Sequence, residues 1–135
     1  MLNVVLVAAP TSDQADAVAG ALEGPALAAI YAAPAFQAVA GAIARSRPQV
    51  AEAHERFEAS ESTLAFLTDL AEWNDGTIAV VASVEVVRAV LVHALDAPVP
   101  EERLAFDPGA IAEIEVRTDA PWTVNRINDG CHLVP

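Results

Sequence analysis

Short β-branched apolar runs alternating with helix-patterned segments constrain this chain more than any other feature. "NVVLVAA" (3–9) and "TIAVVAS" (77–83) are nearly unbroken apolar runs rich in valine and isoleucine. Runs of that kind fit strands covered on both faces. After the first of them, "SDQADAVAGALEG" places Ser12 or Asp13 as a helix cap, with Ala15, Val18, Ala19 and Leu22 at helical spacing and Gly24 as the stop. "ALAAIYAA" (26–33) reads as a second strand. Pro34 suits the first turn of the next helix, "PAFQAVAGAIARS", where its missing N–H costs nothing.

Residues 48–74 read as helical and acidic, with Phe57, Leu64, Leu67, Leu70 and Ala71 as an apolar stripe running toward Trp73. "WNDGT" is a turn signal ahead of the third strand, 77–83. "VEVVRAVLVHALDAPVP" follows as a helix ended by Pro98. "GAIAEIEVRTDAPWTVNRIND" alternates apolar and polar residues on either side of "TDAP", which predicts two antiparallel strands joined by a tight turn. There is no internal repeat and no Gly/Ser linker, and 135 residues suit one domain, 1–135, built as an α/β sandwich.

Charge narrows the function classes. Asp and Glu number 19 against 7 Lys and Arg, for a formal net charge of −12, and every basic residue is arginine. Nucleic acid is bound by clustered basic side chains, so it is disfavoured as a partner. A phosphorylated substrate would be repelled at long range, although a few local arginines could overcome that. No stretch approaches the roughly 18 to 20 apolar residues of a membrane span, so no membrane partner is expected. The N-terminus lacks the basic region of a signal peptide, and the single cysteine, Cys131, excludes an intramolecular disulfide. A soluble cytoplasmic protein is the expectation.

Three strand ends, taken in order, resemble the histidine phosphatase superfamily, also called phosphoglycerate mutase-like. That family's "LVRHGET", "YSSPLxRAxxTA" and "VVSHGGVIRALLAHxL" motifs are matched here by "LVAAPTS", "YAAPAFQAVAGA" and "VVASVEVVRAVLVHAL". "LAFDPGAIAEIEV" and "VNRINDGCHL" are similar to its closing strand and terminal segment. Tyr31, Pro34, Ala38, Arg88, His93, Pro108, Gly109, Asn128, Asp129, His132 and Leu133 fall in register. The resemblance implies a three-layer α/β/α sandwich with a mostly parallel sheet and a C-terminal antiparallel pair. It also implies a reduced lid, because the chain after the second helix is short.

The mismatches fall on the chemistry. By the resemblance, the family's phosphate-accepting histidine stands at Ala9 and its neighbouring arginine at Ala8. A second phosphate-binding arginine stands at Gln37, and the other catalytic histidine at Ser83, beside Ala82, Val84 and Glu85. The family's acid/base glutamate has Glu61, in "ASES", as its remnant. Alanine has no lone pair for a phosphoryl group, and none of these replacements supplies the positive charge that stabilises transferring oxygens. Glu85 adds a carboxylate where phosphate would sit.

Other candidates are weaker. His54, with Glu55 and Glu58, is expected on a solvated helix face, where His54 and Glu58 at i,i+4 lack a third ligand for a metal. Arg88 and His93 are expected to serve the scaffold, as are Asn128, Asp129 and His132. Cys131 and His132, adjacent on an extended tail, point apart. Ser83 has no G-x-S-x-G elbow, and Trp73 and Trp122 are expected in the core. No cofactor or metal is implied.

The expected function is that of a noncatalytic pseudoenzyme, binding an unknown protein partner or small-molecule ligand, with Gln37, Ser83 and Glu85 as ligand-binding candidates. It could pair as a homodimer through its alanine-rich helices. The alternative is an enzyme of different chemistry using Ser83, Glu85, Gln37 and Glu61 in the vestigial cleft; residual phosphatase or mutase activity is the third reading.

Overall fold

The computed structural model describes residues 1–24, 26–45, 47–96 and 104–133. Six strands form one sheet: β1 (Leu2–Ala8), β2 (Leu27–Ala32), β3 (Glu52–Ala53), β4 (Thr77–Ala82), β5 (Ile111–Val116) and β6 (Thr123–Asp129). Their spatial order is β3-β2-β4-β1-β5-β6. β1 pairs in parallel with β4, from Asn3↔Thr77 to Ala8↔Ala82, and β2 is parallel to both β4 and β3. β5 runs antiparallel to β1, and β6 antiparallel to β5.

Helices α1 (Ala15–Ala21) and α2 (Gln37–Ala44) pack on one face, and α3 (Ser60–Ala71) and α4 (Val84–Leu95) on the other. The division follows strand pleat, because successive side chains point to opposite faces. Leu2, Val4, Leu6 and Ala8 join Ile78, Val80, Leu67, Val87 and Leu91 in one core cluster. Val5 and Val7 join Ile30, Ala79, Val81, Val18, Leu22, Val39 and Ile43 in the other. Each fully buried Val, Leu or Ile contributes about 1.5–3 kcal/mol, so the two-sided strands β1 and β4 hold the three layers together. A register shift between Leu27 and Ala29 lets Leu27 and Ile30 share a face despite their odd spacing.

Several expectations need correction. Residues 48–74 are not one helix: β3 comes first, then a 3₁₀ turn over Glu55–Glu58, and only then α3. Ser62 Oγ donates to Arg56 O, and the buried Thr63 Oγ1 donates to Arg56 O at 3.1 Å and Ala59 O at 2.8 Å, pinning that turn to the helix start. The first helix begins through a 3₁₀ turn capped at Thr11, not Ser12 or Asp13, and Gln14 Oε1 reaches back to accept from Thr11 N at 3.0 Å. The helix after β4 stops at Asp96, whose φ of 48° and ψ of 43° are left-handed; the stop expected at Pro98 lies outside the described residues. Trp73 is 83% exposed rather than core, whereas the half-buried Trp122 does pack against the core. Cys131 and His132 sit in a 3₁₀ turn, not on an extended tail. No described helix is long and apolar enough to cross a membrane.

Candidate functional site

Three parallel strands, β1, β2 and β4, end side by side at the edge where open α/β sheets gather ligand-binding groups. Past β1, Ala9 takes a φ of 38°. An L-residue in that left-handed region costs about 1–2 kcal/mol, and neighbouring bonds hold it there. Ala9 N donates to Ala82 O at 2.7 Å, and Gly109 N donates to Ala8 O at 2.7 Å. Gly109 itself has a φ of +84°, and a Cβ on it would meet Gln14 Oε1 at 2.5 Å. Only glycine fits beneath Gln14, whose Nε2 donates to Pro108 O at 2.8 Å and so ties the β1–α1 loop to the approach to β5.

At the end of β4, Ser83 caps α4, its Oγ accepting from Val86 N at 3.3 Å. At the end of β2, Ala33 N donates to Val81 O at 2.9 Å, and Pro34 opens the next turn. Opposite, His54 N donates to Ala32 O at 3.0 Å and carries the Glu55–Glu58 turn over the strand ends. Between these elements lies a cavity of about 300 Å³, walled by Ala33, Ala35, Phe36 and Phe57 and bearing Ser83, Glu85 and Glu58 as its polar groups.

The sequence-expected residues divide accordingly. Ser83 and Glu85 share this cavity, and Ala9 is joined to its β4 rim through the bond to Ala82. Ala8 is wholly buried as the last residue of β1. Gln37 is exposed at the start of α2 and lines a separate depression with Gly41, Arg45, Gln49 and Val50. Glu61 is exposed in the first turn of α3 and is absent from the cavity lining, where Glu58 supplies the carboxylate instead. Sequence reasoning missed Glu58 in this role because it placed the residue on a continuous helix.

The lining contains no imidazole, guanidinium or thiol. The positive end of the α4 dipole points toward the cavity, but Glu85 in the helix's first turn offsets it. Ser83 has no side-chain base within hydrogen-bond reach among the described residues; its one bonded partner is the Val86 amide. The cavity thus sets a hydroxyl that only caps a helix beside two carboxylates.

The remaining candidates are occupied elsewhere. His54 is the extended cap of the 3₁₀ turn rather than a helical residue, and its Nδ1 accepts from Arg56 N at 3.0 Å and Arg56 Nε at 3.2 Å. His93 stacks edge-on against Trp122, with ring centroids 4.7 Å apart. Arg88 Nε donates to Leu104 O at 2.7 Å. Asn128 Oδ1 accepts from Asp107 N at 2.9 Å, and His132 Nε2 lies 2.9 Å from Gly109 O. The Cys131 amide and the Arg126 guanidinium hold the Asp129 carboxyl below its ordinary range. Burial, and then the Glu52 carboxylate, push the Tyr31 hydroxyl up. No group of three or more His, Cys, Asp or Glu among the described residues could hold a metal ion.

No protein-family model and no curated protein matches the sequence. Solved structures do match. YhfR of Bacillus stearothermophilus superposes with a TM-score of 0.86 at 14% identity, covering 99% of this chain and 100% of that one. A phosphoserine phosphatase mutant of Entamoeba histolytica in complex with phosphoserine gives 0.80 at 15% identity, covering 99% and 100%. A phosphoglycerate mutase of Plasmodium falciparum gives 0.70 at 16% identity, covering 93% and 89%. The chain therefore has the phosphoglycerate mutase-like fold, with its sheet and helices in the expected three layers.

Proposed function

We propose that this chain is a noncatalytic member of the histidine phosphatase superfamily, a pseudoenzyme that uses the cavity at the ends of β2 and β4 to bind a small ligand or part of a protein partner. One observation carries the reading: the polar groups lining that cavity are a capping serine and two carboxylates. A phosphoryl transition state needs a nucleophile and positive donors around its oxygens. Losing a single such donor costs about 3 kcal/mol in oxyanion holes, and this cavity offers none while adding negative charge.

A cavity of about 300 Å³ still suits a small ligand or a single side chain. A histidine-to-alanine mutant of one structural neighbour is described in complex with phosphoserine. On this fold, losing a histidine and losing a ligand are therefore separable events. Here the carboxylates of Glu58 and Glu85 favour an occupant without negative charge.

The test is turnover of p-nitrophenyl phosphate and phosphoserine by the purified protein. The expected rate equals that of buffer. Turnover that disappears in Ser83→Ala or Glu58→Gln would overturn the reading in favour of new chemistry in the same cleft.

A further inference from the structure

Away from the cavity lining, the end of α3 leads to an exposed indole, Trp73, beside the half-buried Phe66 and Leu70. Phe66, Leu70 and Trp73 line one groove along the second half of α3 and the turn that follows it. Trp73 lies just past the helix end, its N–H donating to Leu70 O at 3.1 Å, and its side chain projects with 83% exposure. Beneath it, Phe66 belongs to a triangle of rings, 4.9 Å from Tyr31 and 5.2 Å from Phe57. The Arg56 guanidinium sits 5.2 Å from the Phe66 ring centroid. With Asp69 these groups line a shallow groove of about 230 Å³. A lone exposed apolar residue would need no explanation. Trp, Phe and Arg gathered on a fixed aromatic base have the composition of an interface hot spot.

The local charge selects the partner. Asp69 lines the groove with Trp73 and with Arg56, the cation of that lining, and Glu72 and Asp75 flank Trp73 in sequence; all three carboxylates are exposed. Asp75 lies 3.3 Å from the N-terminal amine, whereas Asp69 and Glu72 have no ion-pair partner among the described residues. A second copy docked by twofold symmetry would set the same patch on itself and bring these carboxylates together, in a chain of net charge −12. A basic chain meets the opposite field.

We propose that the Phe66–Leu70–Trp73 face of α3 docks a basic amphipathic segment of a partner protein. Its apolar side packs on Trp73 and Leu70, and its Lys or Arg side chains meet Asp69 and Glu72. The groove shares no lining residue with the cavity, although Phe57 walls the cavity and packs under the groove's Phe66.

The experiment is fluorescence anisotropy of a labelled peptide of Lys and Leu, patterned as an amphipathic helix, titrated with the full chain at physiological salt. The peptide should bind. Trp73→Ala should weaken binding by about tenfold or more, the scale of a hot-spot residue. Asp69→Asn combined with Glu72→Gln should weaken binding and reduce its salt dependence, while Val50→Ala, an equally exposed apolar site, should leave it unchanged. Absence of binding would overturn the proposal. So would equal affinity in Trp73→Ala, which would mark general attraction to an acidic surface. A wild-type dimer in sedimentation that dissociates in Trp73→Ala would also overturn it, by making a second copy the occupant.

Discussion

Replacing Ala9 by glycine should stabilise this protein, although Gly substitutions inside ordered structure normally do the reverse. The left-handed φ of 38° at Ala9 carries a steric cost of about 1–2 kcal/mol for an L-residue, and glycine removes it. Against this stand glycine's greater unfolded-state freedom, about 0.5–1 kcal/mol, and the loss of a half-buried methyl, a fraction of the roughly 0.8 kcal/mol for a fully buried one. The net gain is about 0.5 kcal/mol by these figures. Ala8, one residue earlier, is fully buried in β1 and supplies the control. Ala8→Gly has no strain to release and should cost about 1.5 kcal/mol from the same methyl and entropy contributions. In urea, with a slope of about 2 kcal/mol per M, the two variants' unfolding midpoints should separate by about 1 M and fall on opposite sides of the wild type. If the Ala9→Gly midpoint drops alongside that of Ala8→Gly, the strained-backbone argument is wrong.

Thr63→Val should destabilise by about 0.5–1.5 kcal/mol, because it removes the buried hydroxyl shared by Arg56 O and Ala59 O while Ser62 Oγ and Thr63 N still donate to those carbonyls; urea unfolding reads this directly, and an unchanged midpoint would show that the 3₁₀ turn does not rely on it. The lowered carboxyl pKa values of Asp129 and Glu115 predict stability that is present above their ordinary range and is lost as pH falls through the lower folded values. Asp129→Asn should therefore flatten the acid limb of a stability–pH curve while leaving its neutral-to-alkaline part parallel to the wild type.

The sheet was legible in the sequence because β1 and β4 are continuous apolar runs, and the β5–β6 pair because Glu113 and Glu115 alternate with Ile114 and Val116. β3 was not legible: Glu52 and Ala53 make a strand of two residues, too short to show any period, and their pairing with Tyr31 and Ala32 is a long-range matter. The Glu55–Glu58 turn escaped for a related reason. Its residues are ordinary helix formers, and what bends them is a tertiary set of bonds from Ser62 and Thr63. That misreading put Glu58 on a solvated helix face beside His54, whereas Glu61 came from the resemblance of "ASES" to a family segment. Ser83 and Glu85 were found because "VVASVEVVRA" resembles a family motif at the end of the third strand. The exposure of Trp73 was missed because helical spacing was extended past Ala71, where the helix has already ended.

The position of β1 also bears on how the chain acquires its structure. Val5 pairs with Ala79 on one side and with Glu113 on the other, so both edges of this strand are satisfied only once β5 is available. Loop closure over such separations slows folding and leaves transient strands open to wrong partners. During synthesis "NVVLVAA" would emerge as an unpaired, sticky ribbon. The acidic excess along the rest of the chain then acts as a guard against aggregation, keeping nascent copies apart until β4 and β5 arrive.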